Sequence, residues 1–73
     1  MASTEILAEM VASVLSLSAE VGERVEAGGT VMLLESMKME IPVLVDAGCV
    51  VLELRVAPGD VVQEGDVLAV VDH

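Results

Sequence analysis

Val14-Leu15-Ser16-Leu17-Ser18-Ala19-Glu20-Val21-Gly22-Glu23 and Val51-Leu52-Glu53-Leu54-Arg55-Val56-Ala57-Pro58-Gly59-Asp60 are two copies of one pattern, 37 residues apart. The match runs on without a gap. Val25 falls on Val62 and Gly28 on Gly65, and Val31, Leu33 and Leu34 fall on Leu68, Val70 and Val71. Matched glycines mean matched turns, because glycine is the residue that takes positive φ without strain. Apolar positions and glycines stay in phase together, which is the mark of an internal duplication related by a pseudo-twofold axis.

Each copy reads as short strands between turns. Leu52, Leu54 and Val56 alternate with Glu53 and Arg55, the period of a half-buried strand, and Leu15, Leu17 and Ala19 repeat it. Pro58-Gly59 suits a type II turn, in which proline sets φ and glycine accepts the positive φ that follows. Ala27-Gly28-Gly29 and Glu64-Gly65-Asp66 are further turns. The valine-rich runs between glycines are too short and too branched for helices. Residues 4–14 alone also fit a helical face, but the equivalent stretch, 43–51, contains Gly48 after Pro42 and is poor helix. The expected fold is therefore all-β: two small, mostly antiparallel sheets packed face to face, each of about four strands.

Residues 1–73 read as one domain. With 55% apolar residues and no Phe, Tyr or Trp, the core must be filled by Val, Leu, Ile, Ala and Met. A formal net charge of −10 repels a phosphate backbone and anionic membrane surfaces, so nucleic acid and membrane are not expected partners. No apolar run reaches the roughly 18 residues that would span a bilayer. Met1-Ala2-Ser3-Thr4-Glu5 does not read as a secretory signal. The single cysteine, Cys49, reads as a small buried filler in a reducing, cytoplasmic setting. His73 reads as solvated, no acidic loop has the ligand spacing of a metal site, and there is no catalytic constellation.

The chain has one lysine, Lys38, within Glu35-Ser36-Met37-Lys38-Met39-Glu40, where the two copies meet. Between Leu33-Leu34 and Ile41 the chain must reverse at Met37-Lys38, which makes Lys38 the tip of a protruding hairpin. The symmetry mates of that tip are the chain ends. An amine at such a tip is reachable by a large enzyme, and two methionines give it a flexible, polarizable apolar collar.

Ser36-Met37-Lys38-Met39 resembles the Ala-Met-Lys-Met motif of the biotinyl domains of biotin-dependent carboxylases. The wider run from Leu33 to Pro42, with both glycine–acid turns and the final strand, resembles the small stand-alone biotinyl/lipoyl attachment proteins of bacteria. The resemblance implies a flattened barrel-sandwich hybrid. It implies that a biotin protein ligase joins biotin to Lys38, with Met37 and Met39 as recognition residues and Glu35 as a further candidate. Partners would then be biotin carboxylase and carboxyltransferase subunits, and the domain itself would catalyse nothing. Lipoate on the same lysine is the neighbouring alternative, although lipoyl domains carry Asp-Lys-Ala at the tip. An unmodified acidic binding or regulatory module is the third. The chain departs from the family in Ser36 for alanine, and in Ala12 and Cys49 where glycine is usual. It also lacks the protruding thumb insertion of some carriers.

Overall fold

The computed structural model describes residues 3–73. Met1 and Ala2, which open the N-terminal stretch considered above, lie outside the described residues. Eight strands follow one another: β1 Ser3–Leu7, β2 Ala12–Leu17, β3 Arg24–Val25, β4 Thr30–Ser36, β5 Met39–Leu44, β6 Cys49–Leu54, β7 Val61–Val62 and β8 Val67–Asp72. They form two four-stranded antiparallel sheets, ordered β1-β8-β6-β3 and β5-β4-β2-β7. Shifting β2, β3 and β4 by 37 residues lays them on β6, β7 and β8, and it converts one sheet order into the other. The duplication in the sequence is thus a duplication in space.

Neither half forms a sheet alone. The short β3 of the first half pairs with β6 of the second, and β7 returns the exchange on β2. The core is correspondingly shared. Val14 and Val51, Val25 and Val62, Val31 and Leu68, and Met32 and Ala69 are equivalent pairs, and all eight are buried. Cys49 is buried as a small apolar side chain, in the same core cluster as its equivalent Ala12. Among the described residues no polar side chain is buried, so the interior is held by apolar packing alone.

The turns close as their residues dictate. Gly59 has φ +94, and the Asp60 amide donates to the Ala57 carbonyl at 3.0 Å, the geometry expected after Pro58. The acid after the glycine then reaches back: Asp60 accepts from the Ala57 amide at 2.9 Å, and Glu23 does the same for Glu20 at 3.0 Å. Part of the acidic surface is therefore turn structure, not only solvated charge.

The expected alternation fails at two equivalent points. Leu15 and Leu52 are exposed, while Leu17 and Leu54 are half-buried against the core. The register shifts between Val14 and Ser16 against β4, and between Val51 and Glu53 against β8. A bulge adds a residue to one strand, so the side chain after it leaves the core face. The described residues contain no helix long and apolar enough to cross a membrane.

Candidate functional site

β4 and β5 are joined by two residues only, Met37 and Lys38, with Ser36 paired to Met39. Both central residues have positive φ, 54° at Met37 and 65° at Lys38. Positive φ at both positions is the mark of the type I′ turn, whose twist matches that of the flanking strands. Such turns ordinarily use Asn-Gly, because a Cβ in the left-handed region costs about 1–2 kcal/mol per residue. Lys38→Gly is accordingly expected to raise stability by about 1 kcal/mol in urea unfolding, glycine being free of that cost.

The turn lifts its side chains out of the fold. Met37 is 91% exposed and Met39 63%, so both methionines stand in solvent beside the lysine. Lys38 and Glu35 are exposed as well. The two ion pairs among the described residues are Arg24 with Glu26 and Arg55 with Glu53, each at 2.9 Å. Each joins residues two apart on one strand or strand end, and Lys38 takes part in neither. The neck of the hairpin is fixed by a contact that sequence reasoning did not find: Ser36 Oγ donates to the Val11 carbonyl at 2.9 Å. Alanine, the commoner residue at this position in carboxylase domains, could not make that bond.

The duplication places the chain ends where it should. Ser3 pairs with Asp72, and the equivalent pair in the other half is Glu40 with Glu35, the rungs just below the tip. His73 is exposed but not without a partner: its Nε2 lies 2.6 Å from Thr4 Oγ1, beside that terminal rung. No group of His, Cys, Asp and Glu among the described residues could hold a metal ion. An exposed primary amine at the tip of a two-residue turn is open to acylation by an outside enzyme.

A family model described as "Biotin-requiring enzyme" matches residues 2–71. The biotinylated protein TB7.3 homolog of Mycobacterium leprae is 46% identical over 67 residues, covering 92% of this chain and 94% of the relative. The biotin/lipoyl attachment protein of Bacillus subtilis is 42% identical over 60 residues, covering 82% of each chain. Among solved structures, the urea carboxylase of Kluyveromyces lactis contains a similar domain at TM-score 0.90 and 31% identity. A single-chain, multi-domain long-chain acyl-CoA carboxylase contains another at TM-score 0.92 and 28% identity. Each superposition covers 97% of this chain but only 6% and 7% of those large chains. Across nearly its whole length, then, the chain belongs to the biotin/lipoyl attachment family.

Proposed function

We propose that this protein is a biotin carrier, and that Lys38 is the residue on which biotin is held. The observation that carries this reading is the placement of the one lysine of the chain at the tip of the β4–β5 turn, between two solvent-exposed methionines. The lysine Nζ attacks the acyl carbon of an activated biotin supplied by a biotin protein ligase. An amide forms, the activating group leaves, and the ligase takes the proton from nitrogen. When bound, biotin supplies a ureido nitrogen that accepts a carboxyl group at one enzyme site and surrenders it at another. A biotin carboxylase and a carboxyltransferase are therefore the partners this reading requires. The chain's own part is to hold the amide at the end of a stiff two-residue turn and so raise the effective concentration of the arm at each site. Residues 1–73 act as one attachment unit that carries and does not transform.

Met37 and Met39 form the apolar collar by which a ligase recognises the tip, and Glu35 adds a carboxylate at the rung below. The double substitution Met37→Asp, Met39→Ala is expected to slow biotin transfer at least about tenfold. That corresponds to about 1.4 kcal/mol of lost recognition. Time courses of labelling by a purified ligase would measure it, and an unchanged rate would remove the methionines from the recognition surface.

Lipoate is the second reading, favoured by the name of the Bacillus relative. Parallel reactions with a biotin protein ligase and a lipoate ligase, followed by intact mass, separate the two. A gain of one biotinyl group is expected in the first reaction and none in the second. A gain only in the second would transfer the assignment to lipoate.

A further inference from the structure

The duplication supplies an internal control for any surface feature near the hairpin. An apolar groove opens between β1 and β5, lined by Ile6, Leu7, Met10, Leu34, Ile41 and Val43 among others. A counterpart lies at the chain ends, lined by Thr4, Ala47, Val71 and His73 among others. At four equivalent positions the hairpin side is the more apolar or the larger, and at Ala8, against Val45, it is the smaller. Met10 stands where the other has Ala47, Ile41 stands for Thr4, Pro42 for Glu5 and Leu34 for Val71. One fold and one symmetry built both grooves, and the counterpart is lined by Glu5, Glu9, Asp46 and His73 where this groove has Glu9 alone. The scarcity of chargeable side chains belongs to the side that carries Lys38.

Resting on the carrier reading above, we propose that this groove receives the ring end of the arm on Lys38 when the arm is not in a partner's site. Three observations fit that occupant. The first is reach. Ile41 lies three residues along β5 from Lys38, about 10 Å of strand. The Ser36–Val11 bond ties the bend next to Met10 to the hairpin neck. The lysine side chain and a five-carbon acyl chain together comprise about eleven bonds of roughly 1.5 Å, enough to fold back that far. The second is size. The groove has a volume of about 170 Å³, and an apolar cavity of about 150 Å³ takes up a benzene ring. The counterpart is wider, at about 630 Å³. The third is polarity. Glu9 is the one ionised residue lining the groove. A neutral ring with ureido N–H donors suits apolar walls and a single carboxylate acceptor better than a charged ligand would.

The test compares the apo chain with the fully biotinylated chain, the loading of each established by intact mass. Methyl resonances of Met10 and Ile41 are expected to move on loading, and those of Ala47 and Thr4 to stay. Met10→Ala with Ile41→Thr gives the groove the residues its counterpart already carries. Met10→Ala alone, at a half-exposed position, avoids any question of folding. In either variant streptavidin should capture the arm faster, by about twofold if the ring is parked half of the time. Unmoved Met10 and Ile41 methyls in a chain whose mass shows biotin would overturn the proposal, as would a capture rate unchanged in both variants. A chain that takes up no biotin would fail at the mass measurement instead, and would overturn the carrier reading with it.

Discussion

Lys38→Arg is expected to reduce biotin incorporation to nothing detectable while leaving the fold intact. Arginine keeps the positive charge and most of the length, but its delocalised guanidinium does not serve as the acyl acceptor. No second lysine can substitute, since Lys38 is the one lysine in the chain. The side chain is exposed and joins neither of the described ion pairs, so the stability change should stay within about 0.5 kcal/mol. Intact mass after exposure to the ligase, with urea unfolding of the same sample, measures both halves of this prediction. A large fall in stability would make the lysine a structural residue. Persistent labelling would place the attachment elsewhere.

The largest stability effect is expected from the core and not from the tip. Leu68 is 1% exposed and occupies the position equivalent to Val31 in the shared interior. Leu68→Ala should cost about 2–5 kcal/mol through lost transfer energy and the cavity left behind. A chain of this length has a total stability of only about 4–11 kcal/mol. The substitution therefore removes a large share of it, and a sharp fall in the urea midpoint is the expected reading. Because both halves contribute strands to both sheets, the loss should appear as one cooperative transition and not as melting of one copy. A biphasic curve would mean that the halves are independent.

Much of the architecture is written in the spacing of glycines and valines. The 37-residue repeat, the glycine turns and the valine-rich strands identify two sheets and place Lys38 at the joint, and the structure has that form. Periodicity does not foresee where a strand bulges. Leu15 and Leu52 continue the alternation on paper, yet both turn outward, because each extra residue is decided by the partner strand's register. The exchange of β3 and β7 between halves is also invisible in a local reading, since two-residue strands carry no period. At the site, the lysine and its methionines were legible as residue types. The left-handed conformation of Met37 and Lys38 was not, because neither is a residue that asks for it. Nor was the bond from Ser36 to Val11, which joins residues 25 apart. Composition also does not show that Asp60 and Glu23 accept bonds from backbone amides of their own turns.

Whether Lys38 bears biotin is decided by digestion with trypsin of the protein isolated from its own cells. Trypsin cuts after Arg24, Lys38 and Arg55, and an acylated lysine is not cut. The expected result is a single peptide of residues 25–55, heavier by one biotinyl group, with fragment ions that put the added mass on Lys38. Complete cleavage after Lys38 with no added mass, or a different acyl group at that position, would rule out biotin on Lys38.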